Sequence, residues 1–249
     1  MSEEARGAGG SFPVTRLSVV ESARSADPAE RERALATFAS AYWRPVYRYL
    51  RLKWGRSHEE ASDLTQELFV ELIERGLLAR FDPARARLRT YLRVCVDGLV
   101  ANAAKAASRQ KRGGGATHLS LDFDSERGAL ERLEPAATSS PDADFERAWA
   151  RGVFTLALER LRAACEEAGR PVRFELFSAV ELGEEGRAER PSYAELAGRF
   201  GIKETDVTNG LHAARKEFRR IVLSVLRETT GTEEEFRREA RALLGVEAP

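Results

Sequence analysis

Apolar residues recur at helical spacing along most of the chain, and the alternating polar and apolar runs typical of strands are missing. Residues 59–75, EEASDLTQELFVELIER, show the pattern best. Their apolar stripe consists of Leu64, Leu68, Phe69, Leu72 and Ile73. Ala, Leu, Glu and Arg dominate the composition, and all four favour helices. The pattern predicts an all-α fold, made of two helical domains joined by a flexible acidic linker.

Several helix starts can be predicted from local signals. Asp27 followed by Pro28 is typical of a helix N-terminus, because Asp accepts from the first free N–H groups and Pro needs none. We expect Pro45 to break or kink this first helix. Ser57, with Glu60 three residues later, predicts a capping box before the acidic helix.

Charge is sorted along a chain whose total is zero, with 40 basic and 40 acidic residues. Residues 85–112 carry eight Arg and Lys against one acid, Asp97. The segment 113–144 is rich in Gly, Ser, Pro and acids, and it lacks a sustained period, which predicts a linker. Such sorting indicates that the acidic and the basic helix meet different partners.

Residues 191–222, PSYAELAGRFGIKETDVTNGLHAARKEFRRIV, predict a helix-turn-helix. Ser192 and Glu195 form a second capping-box pattern, and Gly201 suits a left-handed turn. The second helix would bury Ile202, Val207, Leu211, Ala214 and Phe218. Its other face would contact DNA through Lys203, Thr205, Thr208, Asn209, His212, Arg215, Lys216 and Arg219. Short polar groups suit base edges, and basic groups suit phosphates. An ordinary helical hairpin within a bundle is the alternative.

Other function classes find little support in the sequence. Cys95 and Cys165 lie far apart among apolar helical positions, as expected of reduced packing residues in a cytoplasmic protein. The three histidines have no metal-ligand spacing, and no apolar run approaches the roughly 20 residues of a membrane span. A P-loop and a Ser/His/Asp grouping are both missing. We therefore expect no catalytic residue, no metal and no cofactor.

Thr232 and Glu235 predict the start of a terminal amphipathic helix, whose apolar face would carry Phe236, Ala240, Leu243 and Leu244. Two roles remain open for that face. Either it packs against the helix-turn-helix domain, or it is offered to a regulatory protein.

The motifs together resemble bacterial RNA polymerase sigma factors. DLTQELFVEL resembles their polymerase-docking helix, and LRTYLRVCVDGLVANAAKAASRQKR is similar to the helix that opens and reads the minus-ten element. The helix-turn-helix segment resembles the domain that reads the minus-thirty-five element. Two domains and a linker imply the extracytoplasmic-function class, in a divergent branch. The expected division is 1–27 as an extension, 28–112 as region 2, 113–144 as linker, 145–228 as region 4 and 229–249 as a terminal helix.

The resemblance also implies roles for individual residues. Polymerase docking would fall to Asp63, Gln66, Glu67, Val70 and Glu71. Promoter contacts in the first domain would come from Arg85, Arg87, Arg89, Tyr91, Asn102, Lys105, Arg109, Lys111 and Arg112. The sequence departs from the family pattern along this helix, where Tyr91, Gly98, Asn102 and Lys105 replace a usual Trp, Asn, Asp and Arg.

Three kinds of protein fit these features to different degrees. A sigma factor that directs promoter-specific initiation is the first choice. A degenerate sigma-like adaptor, which docks on polymerase but is guided to DNA by another partner, is the alternative. A stand-alone repressor would not need the acidic helix. The expected partners are core RNA polymerase, through its largest subunits, and promoter DNA, with an anti-sigma factor or other guiding protein as a further candidate.

Overall fold

The structure, a computed structural model, describes residues 19–22, 25, 27–110, 140–183 and 190–245. These residues contain no strand, which confirms the all-α prediction. The helices of the described residues are α1 (Val19–Ser22), α2 (Pro28–Trp54), α3 (His58–Ile73), α4 (Leu88–Gln110), α5 (Pro141–Glu167), α6 (Pro171–Phe177), α7 (Tyr193–Phe200), α8 (Glu204–Thr229) and α9 (Glu233–Leu244). A 3-10 turn spans Leu78–Arg80, and a π-helical turn spans Ser178–Leu182.

The predicted helix starts are confirmed. The Asp27 side chain accepts from the Ala29 N–H at 2.9 Å, one residue into α2. Ser57 and Glu60 form both bonds of a capping box at the start of α3, as Ser192 and Glu195 do at the start of α7. These caps pair N–H groups that lie in the first helical turn and therefore have no partner within the helix.

Of the predicted break or kink at Pro45, the break was wrong, because α2 continues through this residue to Trp54. Pro45 costs the helix one hydrogen bond. However, Tyr42, Val46 and Tyr49 on either side of it are almost fully buried. Packing of both halves of α2 into the same core offsets the local penalty.

The main core joins the N-terminal and C-terminal halves of the chain. Helix α5 lies against α2, where Phe145 packs near the rings of Tyr42 and Tyr49. Helix α8 packs on both α5 and α2. The two helical segments expected to be separate domains therefore share buried side chains.

Helix α5 begins at Pro141, inside the segment 113–144 predicted as linker. The prediction placed its end too late because residues 141–144 include two acids, which suggested a solvated tether. Asp144 is instead buried and pairs with Arg48 of α2. Residues 113–139 of the predicted linker lie outside the described part of the chain.

A second, smaller core holds α6, α7 and the first half of α8 together. Its buried side chains are Leu176, Ala179, Val180, Leu196, Ala197, Val207 and Leu211. Between α7 and α8, Gly201 has a φ of 64°, the left-handed conformation that the sequence predicted. This arrangement fixes the exposed face of α8 relative to the rest of the molecule.

The apolar face of the C-terminal helix α9 packs within the molecule, which is the first of the two roles left open by the sequence. Phe236 and Ala240 are buried, and Leu243 and Leu244 lie partly buried against the main core. The helix contacts α8 and also reaches the start of α4.

Candidate polymerase-docking and nucleic-acid surfaces

The acidic helix α3 has two distinct faces. Its buried face consists of Ala61, Leu64, Thr65, Leu68, Phe69 and Leu72. All five predicted docking residues lie on the opposite side: Asp63 and Glu67 are exposed, and Gln66, Val70 and Glu71 are half-buried. Glu71 pairs with Arg75 one turn later. The structure therefore brings the predicted docking residues together on one accessible face.

An apolar groove runs beside this face, between α2 and α3. Leu35 and Ala39 line it from α2, and Phe69 and Ile73 line it from α3. Its volume is about 480 Å³. Because Phe69 directly precedes Val70 and Ile73 follows it by three residues, the groove adjoins the acidic face.

The predicted DNA residues at the start of α4 divide into exposed and buried ones. Arg85 and Arg87 are exposed. Arg89 is not presented at the surface in this arrangement, because the residue has a relative exposure of 3%. Its guanidinium lies 3.8 Å from the ring centre of Trp149 and forms ion pairs with Glu146 and Glu239. Burial opposes its charge, yet its polar neighbours outweigh burial and raise the pKa of Arg89.

Tyr91 is half-buried and anchored by the residues that precede α4. Its hydroxyl donates to the Leu77 carbonyl at 2.7 Å, and its ring packs on Phe81. Burial raises the pKa of Tyr91 to about 12. The residues before α4 therefore contact both the hydroxyl and the ring of this side chain, and its predicted base contact stays a prediction.

The far end of α4 keeps its predicted exposure. Asn102 and Lys105 are exposed, and so is Gly98 on the turn before them. The side chain of Arg109, together with Lys111 and Arg112, lies outside the described residues.

Sequence reasoning missed an aromatic and basic pair beside α4. Trp54 is 36% exposed, and its indole nitrogen donates to Asp97 at 2.9 Å. Lys53 donates to the same carboxylate at 2.8 Å. The neighbouring Lys53 and Trp54 at the end of α2 could have indicated this pair from the sequence. Asp97, the one acid in the basic segment, positions both.

The predicted recognition face of α8 is exposed throughout. It carries Lys203, Thr205, Thr208, Asn209, His212, Arg215, Lys216 and Arg219. Two of these already have partners within the chain. Arg215 donates to Glu181 at 2.6 Å, a bond that raises the pKa of Arg215, and the Thr208 hydroxyl donates to the Glu204 carbonyl. Gly210 is buried against Leu176 and does not belong to this face.

The described residues contain neither a metal-binding cluster nor a membrane-spanning helix. No group of three or more His, Cys, Asp or Glu side chains there is arranged to hold a metal ion. None of the helices in that part of the chain is long and apolar enough to cross a membrane.

Comparison with known protein families matches the part of the chain that carries the first of these surfaces. The model of the family described as sigma-70 region 2 matches residues 38–110, which cover α3, α4 and most of α2. No curated protein and no solved structure matches the chain. Region 2 implies a role in RNA polymerase binding and promoter melting. Residues 38–110 are therefore similar to region 2 of the sigma-70 family, whose members are transcription initiation factors and not enzymes.

Proposed function

We propose that this protein is a cytoplasmic sigma factor of the extracytoplasmic-function type, which directs core RNA polymerase to a specific class of promoters. The observation that carries the proposal is the face of α3. Its five predicted docking residues share one accessible side of a helix within the region matched as sigma-70 region 2.

The chemistry of this face suits a basic, partly apolar helical partner in the largest polymerase subunits. Exposed Asp63 and Glu67 supply negative charge that steers association. Val70 and the neighbouring groove accept apolar side chains, which supply most of the binding free energy at such contacts. On this face, acidic groups would speed association with polymerase, and apolar groups would supply the affinity.

The exposed face of α8 supports promoter reading. Thr205, Thr208 and Asn209 lie in its N-terminal part, the part of a recognition helix that enters the major groove. Lys216 and Arg219 lie further along, where they can neutralise phosphates. Beside α4, the exposed Trp54 offers an aromatic surface on which an unpaired base can stack.

The test is selection of promoter fragments from a random pool by core polymerase carrying this protein. The expected result is enrichment of a two-part motif. Gln66→Ala combined with Glu67→Lys should abolish polymerase association, and with it the enrichment. Asn209→Ala should leave association intact and change the preferred bases, with a loss of about 1–3 kcal/mol of discrimination at one position.

Glu167→Lys is the matched control for the charge reversal, because Glu167 is exposed at the end of α5, outside the matched region. It should leave association and enrichment unchanged. If wild-type protein binds polymerase but enriches no motif, the partner-guided adaptor is the correct function instead. If the double substitution on α3 does not weaken polymerase binding, the docking role of this face is refuted.

A further inference from the structure

The C-terminal helix α9 places two buried carboxylates at the start of α4. The Glu235 carboxylate accepts from the Leu88 N–H at 3.3 Å and from the Gly231 N–H at 3.0 Å. Leu88 is the first residue of α4, where backbone N–H groups have no partner within the helix. A negative charge is favourable at such a helix end. Glu235 therefore caps a helix that lies 147 residues before it in sequence.

Glu239, one turn further along α9, binds the adjoining side chain of α4. Its Oε1 lies 2.8 Å from Nη2 of Arg89. Glu235 and Glu239 have relative exposures of 3% and 6%. Among the described residues, Nη1 of Arg89 and Oε1 of Glu235 have no hydrogen-bond partner. The buried charges are therefore only partly satisfied by each other.

The turn before α9 is fitted closely to the same region. A Cβ at Gly231 would lie 2.5 Å from Cε1 of Phe81, in the loop that leads to α4. The Tyr42 hydroxyl donates to the Thr229 carbonyl at 2.7 Å. Thr232 accepts from the Glu235 N–H, as predicted, but the Glu235 carboxylate points to Leu88 and Gly231 and does not complete a capping box. Its direction is set by α4.

The contact between α9 and the start of α4 contributes little free energy and can therefore be released. Helix α9 has 12 residues, too few to be stable alone in water, and of its apolar side chains Phe236 and Ala240 are fully buried while Leu243 and Leu244 are only partly buried. Buried ion pairs add little net stability, because desolvation cancels much of their attraction. In contrast, α2 and α5 are joined by several large aromatic side chains. Helix α9 can therefore detach from region 2 at a lower cost than α5.

The groups that α9 covers have the chemistry of a phosphate site. An Arg guanidinium binds phosphate as well as carboxylate, and free N–H groups at a helix N-terminus favour anions. We propose that Arg89 and the N-terminus of α4 form a binding site for a DNA phosphate, and that Glu235 and Glu239 occupy this site until DNA displaces α9. The C-terminal helix is then a built-in competitor of DNA. This inference rests on the proposed function, since it takes DNA to be the ligand of region 2.

The test compares DNA binding by the full chain, without polymerase, before and after removal of the two carboxylates. Glu235→Gln combined with Glu239→Gln keeps both side chains nearly the same size. Affinity for a short promoter duplex should rise on the order of tenfold, as expected for one added charge-assisted contact. The log–log salt dependence should become steeper by about one unit, because Arg89 gains a phosphate.

The matched control is Glu233→Gln combined with Glu234→Gln, which removes two exposed acids from the same helix. It should change DNA affinity far less. Adding Arg89→Gln to the Glu235/Glu239 variant should return affinity and salt dependence to their starting values. Circular dichroism checks that the variants fold, and Glu239→Gln alone serves if the double variant does not.

Unchanged or weaker DNA binding by a folded Glu235/Glu239 variant would overturn the proposal, since the two acids would then be structural only. Stabilisation of that variant by inorganic phosphate, without tighter DNA binding, would also overturn it, because the site would serve a free anion. Polymerase association, measured separately, should be the same in all variants. Its absence in the wild-type protein would refute the proposed function, whereas the DNA measurements concern only this site.

Discussion

At the residue scale, arginines of this chain take different roles according to the elements around them. Arg48 of α2 forms two parallel hydrogen bonds with Asp144 of α5, at 2.7 and 2.9 Å. Both side chains are largely buried, with relative exposures of 15% and 9%. Such a bidentate pair fixes orientation as well as adding free energy. The pair therefore locates the N-terminal turn of α5 on α2.

This ion pair predicts a specific acid sensitivity. The hydrogen bond from Arg48 lowers the pKa of the Asp144 carboxyl below its ordinary value of 3.8, while burial opposes this effect. Because the folded-state pKa is the lower one, the pair contributes stability above the unfolded-state pKa. That contribution is lost as the pH falls through the folded-state value.

Asp144→Asn should lower the free energy of unfolding by about 1–3 kcal/mol at neutral pH, because a hydrogen bond between charged groups is lost. The difference from wild type should shrink below roughly pH 4. Urea unfolding at several pH values measures both effects. Asp142→Asn, at a mostly exposed acid in the same helical turn, is the control. A difference that stays constant with pH would contradict this account of the pair.

At the element scale, α2 and α5 cross closely and leave little room for a side chain between them. A Cβ on Gly152 of α5 would lie 3.0 Å from the Ala41 carbonyl oxygen of α2. This contact is with backbone, which cannot rotate away as a side chain can. The two helices approach closely here because neither residue presents a large group.

Gly152→Ala should therefore destabilise the protein, although Ala is about 1 kcal/mol better than Gly within a helix. Gly98→Ala provides the matched comparison, because Gly98 lies inside α4 and a Cβ there would meet nothing within 4 Å. We expect Gly98→Ala to stabilise by up to about 1 kcal/mol. Denaturant unfolding of both variants measures the contrast. Equal changes would show that the crossing adapts to a methyl group.

At the scale of the whole molecule, the family match to residues 38–110 does not coincide with a separate core. Arg160 of α5 donates to Thr37 of α2 and to Glu228 of α8, so three helices meet at one side chain. Phe145 and Trp149 of α5 lie buried in the same core as Phe38 and Tyr42 of α2. Region 2 and the following helices consequently depend on each other for burial.

This shared core predicts that the described helices unfold together. Calorimetry should show one main transition, with circular dichroism and tryptophan fluorescence changing at the same temperature. Phe145→Ala should lower that temperature for both probes, with a loss of about 3–5 kcal/mol. Two transitions, of which only one moves in Phe145→Ala, would instead show two independently folding domains.

The sequence by itself determined the helical class, the caps and the faces of the helices. Ser57 with Glu60, and Ser192 with Glu195, could be predicted because a cap depends on residues three positions apart. The buried and exposed sides of α3 follow from helical spacing in the same way. These features rest on local interactions, which the chain specifies before any helix meets another.

Only the tertiary structure decided what lies opposite each face. Arg89 lies in a basic segment of the sequence, but in the structure it pairs with Glu146 of α5 and Glu239 of α9. In the sequence, Pro45 suggested a helix break and Asp144 suggested part of a solvated linker. In the structure, Pro45 is buried within α2, and Asp144 is buried in an ion pair with Arg48 of α2. The carboxylate of Glu235 was expected to cap its own helix, but it accepts from the Leu88 N–H instead. The pairing of charges across a core depends on which helices pack together, and spacing along the chain does not encode that choice.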